Sequence, residues 1–158
     1  KPQGPAMKVS DILRIKGNTL YTATPEQPLM DAVRAMSDKD IGSLVVMEQG
    51  RLVGMLTFRE VIQELVRDQG SLGATQVQAA MVTDPLICTP ETDLDEVRRM
   101  MLEQHARYMP VMDGTVLMGV ISFYDVAKTV VDSQNFENKM LKAYIKDWPM
   151  GDESANKA

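Results

Sequence analysis

The stretch Gly119-Val120-Ile121-Ser122-Phe123-Tyr124-Asp125 decides the fold of this chain, because it has a counterpart in Gly54-Met55-Leu56-Thr57-Phe58-Arg59-Glu60. In both stretches an apolar strand pattern ends at a hydroxyl residue, and a helical pattern begins directly after it. The counterparts are 65 residues apart. The same strand-to-helix junction therefore occurs twice within one chain of 158 residues.

The repeat extends well beyond the two junctions. When the chain is shifted by 65 residues, 24–66 aligns with 89–131 without a gap, and thirteen of the 43 positions are identical. Apolar spacing in each copy predicts the order β-α-β-β-α, with the first strand at 20–23 or 86–88. We therefore predict an α/β (α+β) fold in which tandem repeats form a pseudo-twofold pair, with two small sheets and flanking helices.

The Gly-containing linker and the loss of periodicity at the ends predict the domain boundaries. These are a tail or expression remnant at 1–6, repeat one at 7–69, a linker at 70–76, repeat two at 77–132, and a C-terminal helix and tail at 133–158. A separate last helix is expected from about Ser133 to Lys146.

Composition excludes several classes of function. The formal net charge is −5, which argues against binding to nucleic acid or to an anionic membrane surface. Cys88 and His105 are the only cysteine and histidine, so an internal disulfide and a Cys/His zinc cluster are excluded. No nucleophile is paired with a base, which predicts a protein that is not an enzyme and has no catalytic or metal-binding residues. A single cysteine is consistent with a cytoplasmic location.

The duplicated junction, in this order of elements, resembles that of a cystathionine-β-synthase (CBS) domain pair, or Bateman module, of the stand-alone type. The resemblance covers about residues 7–132. It implies two clefts between the copies that bind an adenosine nucleotide, with AMP expected and NAD(H) or ATP as alternatives. It further implies a homodimer that senses cellular energy or redox state and signals to an unidentified regulated protein.

The resemblance also implies a set of nucleotide-binding residues. In copy two they are Thr83, Ile87, Thr89, Arg107, Tyr108, Met109, Pro110, Gly119, Val120, Ser122, Tyr124 and Asp125. In copy one they are Asn18, Leu20, Thr22, Thr57, Arg59 and Glu60. Ser122 would donate a hydrogen bond to a phosphate at the helix N-terminus, and Asp125 would accept hydrogen bonds from the ribose diol. Gly119 would let the nucleotide approach its strand closely.

Each of these residue assignments has a purely structural alternative. Ser-x-x-Asp and Thr-x-x-Glu are also capping boxes, which satisfy their own helix end. Glu60 departs from the Asp of the family pattern, so its contact with a diol is open and the two clefts need not be equivalent. Arg107, Arg59 and Tyr124 would either contact the ligand or face water. The alternative function is a ligand-free scaffold for protein–protein interaction.

Overall fold

The computed structural model describes residues 7–17 and 19–147. Along these residues the elements are α1 (Val9–Lys16), β1 (Thr22–Ala23), α2 (Leu29–Lys39), β2 (Ser43–Glu48), β3 (Arg51–Thr57), α3 (Phe58–Arg67), α4 (Val77–Ala80), α5 (Leu94–Gln104), β4 (Tyr108–Asp113), β5 (Val116–Ser122) and α6 (Phe123–Asp147). The predicted α/β class, with two small sheets and flanking helices, is confirmed. The predicted tail at 1–6 and the predicted site residue Asn18 lie outside the described residues.

The two hairpins have the same register. Strands β2 and β3 are antiparallel and end at the pair Ser43–Thr57, while β4 and β5 end at the equivalent pair Tyr108–Ser122. Both ladders shift by one residue at the same repeat position. Gly114 in the second hairpin loop has a φ of 64°, a value that glycine adopts without strain. In both copies the helix therefore begins at the equivalent residue, directly after the second strand of the hairpin.

The strand predicted at 86–88 is reduced to a single bridge. In copy one, β1 pairs in parallel with β2, and the sheet order is β1-β2-β3. In copy two, only the bridge between Cys88 and Val111 remains, and the named sheet has two strands. The residue before Val111 is Pro110, which has no N–H to donate to the carbonyl of Leu86. The expectation of a second full strand there was wrong for this reason.

The two copies exchange their leading helices. The Val9 N–H of α1 donates to the Thr92 carbonyl at 3.0 Å, and the Val77 N–H of α4 donates to the Gln27 carbonyl at 3.0 Å. Val9 and Ile12 are buried in the core of copy two, while Val77 is buried in the core of copy one. Each repeat is therefore completed by a helix that precedes the other repeat.

Three apolar clusters hold the pair together. The first belongs to copy two and includes Leu94, Met101 and Ile121, and the second belongs to copy one. The third lies between the sheets and contains Val45, Met112 and Leu117. A repeat of this size buries too little apolar surface to be comfortably stable alone, so this shared cluster and the exchanged helices stabilise the pair.

Helix α6 continues through the position where a break was predicted. It runs without interruption over 25 residues, so the second helix of copy two and the predicted C-terminal helix are one element. The segment Val131-Asp132-Ser133-Gln134 contains no Pro or Gly, and Ser costs a helix interior only a few tenths of a kcal/mol. None of the described helices is both long and apolar enough to cross a bilayer.

Candidate functional site

Each strand-to-helix junction lies beside a cleft. The larger cleft, about 1040 Å³, contains Ser122 at the start of α6 and is called the Ser122 cleft below. The smaller, about 670 Å³, contains Thr57 and Glu60 at the start of α3 and is called the Thr57 cleft. Both volumes are in the range of sites for drug-sized ligands and cofactors.

Each cleft is built from both copies. The segment before β1 (Thr19, Leu20 and Tyr21), from copy one, lines the Ser122 cleft of copy two. The Thr57 cleft of copy one is lined by Val82, Asp84, Pro85 and Leu86 of copy two. This crossing follows from the exchange of α1 and α4, because each leading helix carries the segment that follows it to the opposite junction.

Ser122 and Asp125 form a capping box at the start of α6. The Ser122 N–H donates to Asp125 Oδ2 at 2.9 Å, and the Asp125 N–H donates to Ser122 Oγ at 3.0 Å. The same Oδ2 also accepts from Lys16 Nζ at 2.8 Å. Lys16 Nζ donates to the Val120 carbonyl as well, at 3.0 Å. The lysine therefore fixes α1 against the junction and adds a positive charge to the Ser122 cleft.

Sequence reasoning missed Lys16. Its side chain is 40% exposed and lines the Ser122 cleft from the last residue of α1. Its partner Asp125 is 109 positions away. A basic residue in the last turn of a helix has an ordinary explanation in the helix dipole, so nothing in the local pattern marked it.

Thr57 and Glu60 form the matching capping box at the start of α3. Glu60 Oε1 accepts from the Thr57 N–H at 2.8 Å and from the Thr57 hydroxyl at 2.6 Å. The hydroxyl in turn accepts from the Arg59 N–H at 3.2 Å. Glu60 is only 7% exposed. The longer side chain therefore folds back onto its own helix end, as the capping alternative requires.

The two junction glycines, Gly54 and Gly119, leave room for neighbouring side chains of the protein. A Cβ on Gly119 would lie 2.8 Å from Leu13 Cδ2 of α1, and a Cβ on Gly54 would lie 2.6 Å from Met81 Sδ. Both distances are too short for carbon or sulfur contacts. Gly119 lines the Ser122 cleft and its missing Cβ also makes room for Leu13 of α1, so the expected close approach of a nucleotide at this glycine stays a prediction.

Tyr108 and Arg59 connect the copies in the region between the clefts. A Cβ on Gly42 would lie 1.9 Å from the Tyr108 hydroxyl, so the tyrosine occupies space that only a glycine leaves free. Arg59 Nη2 donates to the His105 carbonyl at 2.6 Å. Tyr108, Arg59 and Arg107 line both clefts. The predicted basic and aromatic positions of copy two thus face both sites.

The structure brings some of the predicted site residues together and separates others. The Ser122 cleft is lined by Leu20, Arg59, Arg107, Tyr108, Gly119, Val120, Ser122 and Tyr124, and Lys16 links it to Asp125. The Thr57 cleft is lined by Thr57, Arg59, Glu60, Arg107 and Tyr108. The described predicted residues that line neither of these two clefts are Thr22, Thr83, Ile87, Thr89, Met109, Pro110 and Asp125.

Burial and local bonding explain part of this separation. Met109 is fully buried in the core of copy two, and Pro110 is also buried, so neither side chain reaches a cleft. The Thr89 N–H donates to Thr92 Oγ1 at 3.0 Å. Thr22 is in β1 and pairs with Val45. The side chains of Met109 and Pro110 are thus in the core, and the predicted contact of these two residues with a nucleotide stays a prediction.

Cys88 has the properties of a core residue. It is 4% exposed, and burial raises the pKa of its thiol to about 12. Its Sγ lies 3.7 Å from the Pro110 carbonyl oxygen. A thiol with a raised pKa is protonated at neutral pH and is a poor nucleophile.

Comparisons with known proteins agree with this geometry. The family model of the CBS domain matches residues 9–67 and again 75–132. The chain is similar to the mitochondrial CBS domain-containing protein CBSX3 of Arabidopsis thaliana, with 29% identity over 146 residues that cover 87% of this chain and 71% of that protein. A solved protein with CBS domains from Burkholderia ambifaria MC40-6 superposes with a TM-score of 0.76, at 33% identity over 81% of this chain and 96% of that chain.

Two more distant structures share the fold and contain ligands. CBSX2 in complex with AMP has a TM-score of 0.65 at 20% identity, over 79% of this chain and 97% of that chain. The CBS domain pair of protein MJ0100, in complex with 5′-methylthioadenosine and S-adenosyl-L-methionine, has a TM-score of 0.70 at 20% identity, over 78% and 99%. At this identity the likeness shows the fold alone.

Proposed function

This chain belongs to the CBS domain family, as a tandem pair of CBS domains, and on that premise we propose that it is a non-catalytic regulatory module. It binds an adenosine nucleotide in the Ser122 cleft and reports the level of that nucleotide to a partner protein. AMP is the proposed ligand, with NAD(H) or ATP as alternatives. The two distant structures that contain AMP or other adenosine compounds support this class of ligand.

Three cationic side chains around the Ser122 cleft carry the proposal. Lys16, Arg59 and Arg107 line it, although the chain as a whole has 22 acidic and 17 basic residues. Asp40 is the one acidic residue in the described lining. The positive end of the α6 dipole, at Ser122, adds to this field. Such a concentration of positive charge in an acidic protein favours an anionic ligand such as a phosphate.

The remaining lining suits a purine nucleoside. Four aromatic side chains surround the Ser122 cleft: Tyr21, Tyr108, Phe123 and Tyr124. Apolar residues, among them Leu20, Ile41 and Leu102, complete the wall. Aromatic and aliphatic side chains contribute stacking and apolar contact to a planar base, while a few polar groups fix its orientation. The lining of this cleft thus suits both a base and an anion.

Equilibrium binding to the full chain tests the proposal. Thermal shift and calorimetry are to be run with AMP, ATP, NAD, S-adenosylmethionine and adenosine, with GMP as a control for the base. A true ligand at a hundredfold excess over its Kd should stabilise the chain by about 2.7 kcal/mol. Saturable binding of AMP, with GMP at least tenfold weaker, is the expected result. No shift with any adenosine compound would reject the proposal.

A ligand-free scaffold is the second candidate function. Both capping boxes are closed, since Ser122 with Asp125 and Thr57 with Glu60 satisfy their own helix ends. In that case the motifs serve stability alone, and the clefts have no small-molecule ligand. The same titrations separate the two candidates, because a scaffold would show no saturable binding of any adenosine compound.

The proposal includes an assembly, a location and domain boundaries. A homodimer is supported by an exposed apolar stripe on α3, where Phe58, Ile62 and Val66 are 52%, 59% and 76% exposed. A cytoplasmic location is supported by the single cysteine, whereas the relative CBSX3 is named mitochondrial. Cell fractionation tests the location. Limited proteolysis tests the repeat boundaries, which we place at 7–69 and 77–132, with cleavage expected in the linker 70–76.

A further inference from the structure

Five residues line both clefts and form a common wall between them. They are Arg59, His105, Ala106, Arg107 and Tyr108. Arg59 extends from α3 of copy one and donates from Nη2 to the His105 carbonyl of copy two at 2.6 Å. A ligand in either cleft therefore has the same two arginines in its lining.

The charged groups are divided unequally between the clefts. Lys16 lines the Ser122 cleft alone, whereas Arg59 and Arg107 are shared. The Thr57 cleft has two acidic residues in its lining, Glu60 and Asp84. Among the residues that the structure describes, neither arginine forms an ion pair with a carboxylate. The two guanidinium groups are thus free to pair with an anionic ligand.

Building on the proposed function, we propose that the two clefts compete for Arg59 and Arg107. One chain then holds one phosphate-bearing ligand at a time, in the Ser122 cleft. The Thr57 cleft binds an adenosine ligand without a phosphate, or binds none. A guanidinium group presents its donors in one fixed plane, so donors that bond a phosphate in one cleft are lost to the other.

Two further effects also favour a single phosphate, bound in the Ser122 cleft. Lys16, although it is paired with Asp125, places a third cation on one side only, which favours entry of the first phosphate into the Ser122 cleft. A second phosphate, in the Thr57 cleft, would be repelled by the first and by Glu60 and Asp84. Binding linkage requires the effect to be reciprocal, so each phosphate weakens the affinity for the other by the same factor.

Stepwise calorimetric titration of the full chain with AMP and with adenosine tests the competition. In each step, the ratio of the AMP affinity to the adenosine affinity measures how much the phosphate contributes to binding. In the first step AMP is expected to bind at least tenfold more tightly than adenosine. After the first cleft is filled with AMP, a further AMP is expected to bind no more tightly than adenosine does.

Three variants assign these steps to residues. Lys16→Met is expected to weaken the first AMP step at least fivefold and to weaken adenosine binding by a smaller factor, because adenosine loses only the support that Lys16 gives to Asp125. Lys128→Met is the matched control, because Lys128 pairs with Asp132 at 3.1 Å and lines neither cleft. Arg59→Gln removes one shared cation and is expected to narrow the difference between the two AMP steps at least threefold.

The outcomes separate this inference from the proposed function. One outcome is that AMP binds more tightly than adenosine by the same factor in the second step as in the first. That result would overturn the competition and leave the proposal of nucleotide binding intact. If Lys16→Met leaves the first AMP step unchanged, the assignment of the phosphate to the Ser122 cleft is overturned. If neither AMP nor adenosine binds the unmodified chain, the proposed function and this inference both fail.

Discussion

Lys16 Nζ lies 2.8 Å from Asp125 Oδ2, and this ion pair joins the last residue of α1 to the first turn of α6. The lysine side chain is 40% exposed and the aspartate side chain is 18% exposed. The pair therefore lies near the protein surface rather than in the core, and its lysine lines the Ser122 cleft. A carboxylate that already accepts from Ser122 and Lys16 is held in one orientation, which prepares it for a ligand diol or for a purely structural role.

The first prediction separates these two roles of Asp125. Asp125→Ala is expected to weaken AMP binding at least tenfold and to lower the free energy of unfolding by about 1 kcal/mol, the usual cost of a lost cap. Calorimetry measures the binding and urea unfolding measures the stability. Asp132→Ala is the control, since Asp132 is on the same helix and pairs only with Lys128 among the described residues. Full AMP affinity in a destabilised Asp125→Ala variant would leave the residue as a cap alone.

The second prediction concerns the capping box of α3. Glu60→Ala leaves the Thr57 N–H and hydroxyl without their acceptor, so the free energy of unfolding should fall by about 1–2 kcal/mol. AMP affinity should change less than threefold, because Glu60 lies in the cleft that we do not assign to the phosphate. Glu60→Asp keeps a carboxylate at the same helix position and should stay within about 0.5 kcal/mol of the parent chain. A tenfold loss of AMP binding in Glu60→Ala would contradict this assignment of the clefts.

Local signals predicted the repeated unit well. The hairpins and their flanking helices depend on periodicity and turn residues, which lie within a few positions of each other, and the gapless offset of 65 residues shows the same pattern twice. The exchange of α1 and α4 depends on contacts such as Val9 with Thr92, which are far apart in sequence and leave no local pattern. Lys16 was missing from the predicted site for the same reason, because its partner Asp125 is 109 positions away in the sequence.

Two errors of prediction have a simpler origin. A strand was expected at 86–88, as at 20–23, but the missing N–H of Pro110 limits its pairing to one bridge. A separate last helix was expected from about Ser133. A serine weakens a helix interior only slightly, and α6 continues through it.

The third prediction tests the contact between Gly42 and Tyr108. A Cβ at position 42 would lie 1.9 Å from the tyrosine hydroxyl, so Gly42→Ala should force the ring to move and cost about 1–3 kcal/mol in urea unfolding. Adding Tyr108→Ser, the residue at the equivalent position 43 of copy one, should recover most of this loss. Gly73→Ala is the control, because its Cβ would meet its nearest atom at an ordinary 3.6 Å. Equal stability of the Gly42→Ala and Gly73→Ala variants would show that the contact is not restrictive.

The last prediction concerns the apolar stripe on α3. Phe58, Ile62 and Val66 recur every four residues, so they lie on one face of the helix, and each is more than half exposed. Exposed apolar residues aligned in this way favour burial against a second copy of the chain.

Light scattering is expected to give twice the 17.6 kDa mass of one chain. Ile62→Lys should shift the assembly to the monomer by placing a charge in the contact. Ile15→Lys, an equivalent change at an isoleucine 83% exposed on α1, should leave the dimer intact. Dimers that withstand Ile62→Lys as well as they withstand Ile15→Lys would place the interface elsewhere.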